Sequence, residues 1–203
     1  MELLRLESIS RRFGGLTALS NVSFSAVEGE VLGVIGPNGA GKSTLFNVLA
    51  GVFPASAGHV MFLGRDVTHR STPEIVRMGM ARTFQTTRLF KTLSVLDNVC
   101  IGAHSRTTTG LFDAPIQSSH ARREREATRQ AALALLEEAG LDGVASHPAA
   151  SLPYGDQRKL EIVRALATQP RLLLVDEPAG INRIESDELR DFLLVCGRWV
   201  RPS

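Results

Sequence analysis

The chain has 203 residues, 43% of them hydrophobic and 22% charged, with a formal net charge of +2. That is enough for one substantial packed domain and excludes wholesale disorder, while the charge is too small to argue for nucleic acid. Two distant cysteines, Cys100 and Cys196, make no metal or redox spacing and fit a reducing compartment.

The opening "MELLRLESISRR" lacks a basic stretch followed by an apolar one, so no signal peptide is read. No run reaches the ~18 apolar residues of a membrane span. "LLRLESI" and "NVSFSAV" alternate like half-buried strands. "EVLGVIG", residues 30–36, is a short apolar run ending in glycine and reads as a buried strand of a parallel sheet. "KSTLFNVLAGV" reads as a helix and "GHVMFLG" as a strand. "TPEIVRMG" is a short helix with Thr72 as N-cap and Pro73 at its first position. "MARTFQ" is a strand. From about Leu93 to Leu141 the pattern is mainly helical, "SHARREREATRQAALALLEEAGL" being the longest piece. A further helix covers "DQRKLEIVRALATQ", and "RLLLVDEP" is an apolar strand ending in two carboxylates. Alternating strands and helices give an α/β fold with a parallel core, and no internal repeat stands out.

The chemistry begins at "GPNGAGKST". Gly36, four residues, Gly41, Lys42 and Ser43 complete the phosphate-loop pattern, after a strand and before a helix. Glycines let backbone N–H groups turn in around phosphate oxygens, and the helix N-terminus aims partial positive charge at the same place. Gly36, Pro37, Asn38, Gly39, Ala40, Gly41, Lys42, Ser43 and Thr44 are therefore the candidate ATP-binding residues, with Lys42 on the β- and γ-phosphates and Ser43 on Mg²⁺. In "LLLVDEP" the strand end places Asp176 to hold Mg²⁺, and Glu177 to orient or deprotonate an attacking water.

The third motif narrows the choice. "LPYGDQRKLEIVRAL", Leu152 to Leu166, resembles the signature of ATP-binding cassette (ABC) proteins, usually written LSGGQ. Leu152, Gly155, Gln157 and Arg158 match. Pro153 stands where serine is usual, Tyr154 where glycine is usual, and Asp156 where glutamine is usual. This is another helix N-terminus preceded by glycine, hence another anion-binding end. In ABC proteins it caps the γ-phosphate bound to the partner chain. Pro153 brings neither a hydroxyl nor an N–H to that contact.

The resemblance covers about Leu3 to Leu194 and implies further roles. Gln85 in "RTFQTTRLF" matches the Q-loop glutamine, which senses Mg²⁺ and γ-phosphate and abuts the membrane subunit. Phe13 in "RRFGGLTAL" stands where the family stacks an aromatic on adenine, although it reads nearly as well as a core residue. "AGIN", Ala179 to Asn182, matches the D-loop, with Asn182 where aspartate is more usual. The loop "TTRLFKTL" places Leu89 and Phe90 beside Arg88 and Lys91, either as an exposed apolar pair rimmed by charge or as a buried one. Within the family, "FGGLTAL", "RTFQTTRLF", "LPYGDQRKLEI", "AGIN" and the long segment between Asn98 and Ala131 resemble the ATP-binding subunits of branched-chain amino acid importers.

The resemblance implies a P-loop NTPase (RecA-like) parallel core, a small antiparallel β region, and a helical subdomain near residues 90–155, in one domain over residues 1–203. It implies ATP and Mg²⁺ bound between two such subunits, alike or different. It implies integral membrane permease subunits as partners, no nucleic acid, and a place on the inner, cytoplasmic face of the membrane. In "ARREREATRQ", Arg122, Arg123 and Arg125 alternate with Glu124 and Glu126 without aromatics, which reads as a solvated helix face. Cassettes of this kind carry a switch histidine beyond "VDEP". The 26 residues after Glu177 contain none, and "VCGRWVRPS" does not resemble the strand expected after "ESDELRDFLL". The expectation is a cassette cut short at its C-terminus that binds ATP and turns it over weakly, with a naturally short variant as the alternative. The rival functions are a soluble cassette ATPase and a hydrolysis-deficient nucleotide-binding remnant.

Overall fold

The computed structural model describes residues 1–83, 89–104, 119–176 and Phe192. The chain divides into two compact units, one built on Met1–Arg82 and one on Thr83–Arg201.

The first unit is organised by a four-stranded sheet, β2-β1-β3-β4, antiparallel at every pairing. Its strands are β1 (Glu2–Phe13), β2 (Leu16–Val27), β3 (Ala57–Phe62) and β4 (Arg65–Asp66). β1 and β2 are longer than their alternating cores suggest, because Gly14 and Gly15 close a two-residue hairpin in which Phe13 faces Leu16. Gly14, at φ 55°, supplies the left-handed backbone such turns need. Leu4 and Leu6 of β1 stand opposite Phe62 and Val60 of β3, and all four are buried with Ile9. This is the small antiparallel β region expected near the N-terminus. The unit is completed by α1 (Lys42–Leu49), α2 (Thr72–Arg77) and β5 (Met80–Arg82).

Two local expectations are corrected. Residues 30–37 form no strand. A strand exists only where a neighbour accepts and donates along its edge, and no described strand pairs with this stretch. Its apolar side chains stay open, Val31 at 74% and Ile35 at 96% exposure. The N-cap of α2 is Ser71 rather than Thr72. The reason is Glu74, three positions on, which closes a capping box: its carboxylate accepts from the Ser71 backbone N–H at 2.9 Å and hydroxyl at 2.6 Å.

That cap makes a checkable prediction. The Ser71 hydroxyl, then the Ser71 N–H and Arg70, hold the Glu74 carboxyl down at about 2. A carboxyl depressed in the folded state contributes stability above its unfolded pKa of ~4.3, lost as pH falls through the folded value near 2. Ser71→Ala should therefore move the Glu74 titration upward toward the ordinary range. Carbon-detected NMR titration of that carboxyl reads it directly, and a midpoint still near 2 in the variant would show that the cap is not the cause.

The second unit is mainly helical: α3 (Val95–His104), α4 (Ser119–Glu138) and α5 (Tyr154–Leu166), followed by β6 (Leu172–Leu174). Val95 and Val99 from α3, Ala132 and Leu136 from α4, and Leu160 and Val163 from α5 meet in one buried cluster, joined by Ala139 just after α4. Each set recurs every three or four residues, the spacing of one helix face. On α4, Arg122, Arg123 and Arg125 are exposed with Glu126, as a solvated face requires. Leu89 belongs to the same buried cluster, whereas Phe90 is half-exposed under the Arg164 guanidinium at 5.9 Å. The two therefore do not form an exposed apolar pair: Leu89 is core, and only Phe90 reaches the surface.

Candidate nucleotide-binding site

The phosphate loop lies in the first unit and leads directly into α1. Gly39 and Gly41 adopt φ of 83° and 86°, backbone that side chains rarely adopt. Gly41 is also the N-cap of α1, and its carbonyl accepts the first helical bond, from Leu45 N–H, at 2.9 Å. A Cβ on Gly41 would stand 2.4 Å from the Ala18 carbonyl oxygen of β2, so the loop presses on that strand too closely for any other residue. Gly36 is tight in a different way, since a Cβ there would stand 3.2 Å from that of Ala40. Lys42 does not extend into solvent. Its ammonium donates back to the Gly36 and Pro37 carbonyls, the latter at 2.9 Å, and so stands inside the turn of the loop. Ser43 and Thr44 follow in the first turn of α1, both half-buried.

Phe13, at the end of β1, is 37% exposed. Phe53 meets it edge-on at 5.5 Å between ring centroids, and the Arg11 guanidinium lies 4.5 Å over its ring. It is a partly exposed surface residue held by two neighbours rather than a core residue.

The remaining described site residues lie in the second unit. Asp176 is 6% exposed, and its backbone N–H donates to the Thr83 hydroxyl at 3.3 Å. The Thr83 N–H donates to the Leu174 carbonyl at 2.9 Å, so Thr83 fixes the chain leading to Asp176. Sequence reasoning passed over Thr83, although its place in "RTFQ" beside the Q-loop was a signal. It also passed over the role of Asn98, which is fully buried and ties the chain after the Q-loop to α3: its Oδ1 accepts from Phe90 N–H at 2.9 Å, and its Nδ2 donates to the Phe90 and Ser94 carbonyls. Gln85, Glu177 and the stretch Ala179 to Asn182 lie outside the described residues.

The signature-like stretch opens α5. Leu152 is buried in the helical core. Pro153 is the N-cap residue, extended at φ −54° and ψ 156°, with no side-chain capping bond. Gln157 ties the first turn back to the residue before the cap, donating from Nε2 to the Leu152 carbonyl at 2.8 Å. Tyr154 is 49% exposed, and its hydroxyl accepts from Arg158 Nη2 at 2.9 Å. Arg158 is itself buried and paired with Glu161 at 3.0 Å. Asp156 pairs loosely with Lys159 at 3.7 Å on the open side. Gly155 faces open space, since a Cβ built there meets nothing within 4 Å. Nothing among the described residues requires that residue to be glycine.

A glycine-lined loop running into a helix, with its lysine folded into the turn, defines a nucleotide-binding protein of the phosphate-loop class. The chain belongs to the ABC transporter family, whose pattern matches residues 19–180. Among characterised relatives it is 41% identical over 192 residues to LivG of Salmonella typhimurium, a high-affinity branched-chain amino acid transport ATP-binding protein, covering 94% of this chain and 75% of the relative. It is 40% identical over 193 residues to BraF of Pseudomonas aeruginosa, a protein of the same description, covering 93% and 74%. An ATP-binding cassette of an ABC transporter solved in its ADP conformation matches with a TM-score of 0.82 at 35% identity, covering 98% of this chain and 78% of that one. A nucleotide-free ATP-binding cassette matches with a TM-score of 0.80 at 34% identity. The fold is that of the P-loop NTPases, as the motifs imply. Among the described residues, no helix is long and apolar enough to cross a membrane.

Proposed function

We propose that this chain binds Mg-ATP at residues 36–44 and hydrolyses it in a dimer of ATP-binding subunits, driving import of branched-chain amino acids through a membrane permease that it serves from the cytoplasmic face. The observation that carries the reading is the loop itself: two glycines hold it in left-handed backbone ahead of the α1 N-terminus, and the Lys42 ammonium is drawn into its turn by the loop's own carbonyls. A triphosphate offers that ammonium far better acceptors than two neutral carbonyls. The names of the relatives supply the substrate class.

In this reading Gly36, Pro37, Asn38, Gly39, Ala40, Gly41 and Thr44 cradle the phosphates, Lys42 meets the β- and γ-phosphates, and Phe13 stacks on the base. The Ser43 hydroxyl and the Asp176 carboxylate are hard oxygen donors of the kind Mg²⁺ accepts, with Gln85 as the third candidate. When bound, Mg²⁺ neutralises charge on the phosphate oxygens. Glu177 takes the proton of the attacking water. Leu152, Pro153, Tyr154, Gly155, Asp156 and Gln157 approach the ATP held by the partner subunit, and the surface near Gln85 meets the permease. Reconstitution with its cognate permease subunits should give ATP-dependent uptake of labelled leucine into vesicles. A reconstituted complex that hydrolyses ATP yet never takes up a branched-chain amino acid would sink the transport reading.

The signature assignment has its own test in Gly155→Ala. The added methyl has open space, and alanine is the better helix former, so folding stability should hold within about 0.5 kcal/mol or rise slightly. If the first turn of α5 approaches a partner's ATP, the same methyl obstructs that approach, and turnover should fall at least ~10-fold. Thermal melts and phosphate release on one preparation separate the two. Unchanged turnover at saturating protein would remove Gly155 from the interface.

A further inference from the structure

We propose that Arg11 is a positioning residue for the base of the bound nucleotide, acting through Phe13. The proposal rests on the reading of Phe13 as the base platform. Arg11 and Phe13 are two residues apart on β1, and the guanidinium lies 4.5 Å over the Phe13 ring and 5.6 Å from the centre of the Phe53 ring. Arg11 is held there rather than free to swing: Nη1 donates to the Pro54 carbonyl at 2.8 Å, in the chain just after Phe53. Its Nε is buried with no hydrogen-bond partner among the described residues. An arginine placed only for hydrogen bonding would not leave that N–H unused, whereas one placed to lie flat on a ring can.

The arrangement has a consequence for binding. A phenylalanine at the tip of a hairpin, more than a third exposed, has several rotamers open to it. The guanidinium over the ring and the Phe53 ring at 83° hold one orientation, and the 37% of Phe13 that stays exposed is what a planar ligand can reach. A base stacking on a ring already held loses less conformational freedom on binding. A triphosphate without a base gains nothing from the platform.

The experiment compares Mg-ATP with Mg-tripolyphosphate, which has the phosphates and no base, by calorimetric titration of the full chain. Arg11→Ala should weaken Mg-ATP about three- to fivefold, the scale of one exposed cation–π contact, and leave Mg-tripolyphosphate unchanged. Arg11→Met keeps the apolar stem without the guanidinium and should behave the same, which guards against an alanine variant that folds poorly. Equal weakening of both ligands would mean that Arg11 acts on the fold or the phosphate loop, and would overturn the proposal. So would unchanged or tighter ATP binding, the latter marking Arg11 as an obstruction. If the wild-type chain binds both ligands equally well, the platform reading of Phe13 fails, and the role of Arg11 falls with it.

Discussion

Lys42→Ala should weaken Mg-ATP binding at least ~10-fold, and Glu177→Gln should leave binding intact while cutting turnover by ~10²–10⁴-fold. The two variants remove different kinds of interaction. Lys42 is pre-placed: its ammonium lies on the Gly36 and Pro37 carbonyls inside the loop, and a phosphate entering the same turn takes over those donors. A hydrogen bond to a charged group contributes about 1.5–3 kcal/mol, so a tenfold loss is the lower bound. Alanine also removes the ammonium from the Gly36 carbonyl and leaves the Pro37 carbonyl with the Ala40 N–H at 3.2 Å, which loosens the loop. Glu177 is proposed to act only when water attacks, and glutamine keeps its size while losing the base. Calorimetry gives the affinities, and steady-state phosphate release gives the rates. Equal affinity for wild type and Lys42→Ala would remove the loop from nucleotide binding. Full turnover in Glu177→Gln would assign the base elsewhere.

Gly102→Ala should destabilise the second unit by about 2 kcal/mol, against the usual preference of helices for alanine. A Cβ on Gly102 would stand 2.3 Å from the Arg164 carbonyl oxygen and 2.9 Å from the Arg164 Cγ. The first of these is backbone, so no rotamer change relieves it, and α3 and α5 must move apart. Separating them opens the layer where Val95 and Val99 meet Leu160 and Val163, all at 1% exposure or less. Alanine gains at most about 1 kcal/mol in helix propensity, while overpacking of a close backbone contact costs ~1–3 kcal/mol or more. For a chain of this size that corresponds to a loss of roughly 4–8 °C in melting temperature. Gly155→Ala is the matched control, a glycine-to-alanine change in a helix with free space around it. If Gly102→Ala melts at or above the wild-type temperature, the close approach of α3 and α5 is not the reason for that glycine.

Motifs and single helices were legible in the chain wherever the information is local. Glycine spacing around Lys42 specified a loop that only positive-φ residues can make, and the loop has that form, because steric exclusion at Cα depends on nothing distant. The helical stretches read at residues 119–141 and 156–169 are helices α4 and α5, and each turns one apolar face inward, with Leu136, Leu160 and Val163 buried. The family also followed from the order of motifs, which is a property of the sequence alone.

Tertiary structure decided what depends on a neighbour. "EVLGVIG" has the composition of a buried strand, yet residues 30–37 form none, since a strand is completed by a partner that no local pattern specifies. Leu89 and Phe90 are adjacent and similar in hydropathy, and only the packing of α3, α4 and α5 puts one inside and the other out. Phe13 could be core or surface until the fold left it more than a third exposed, against Arg11 and Phe53. Gly102 and Gly155 are both single glycines in helices. What separates them is the Arg164 carbonyl 62 residues along the chain, close to one and absent from the other. Sequence determines which conformations a residue can adopt, and the fold determines what stands next to it, which is why the loop could be read in advance and the supports of Phe13 could not.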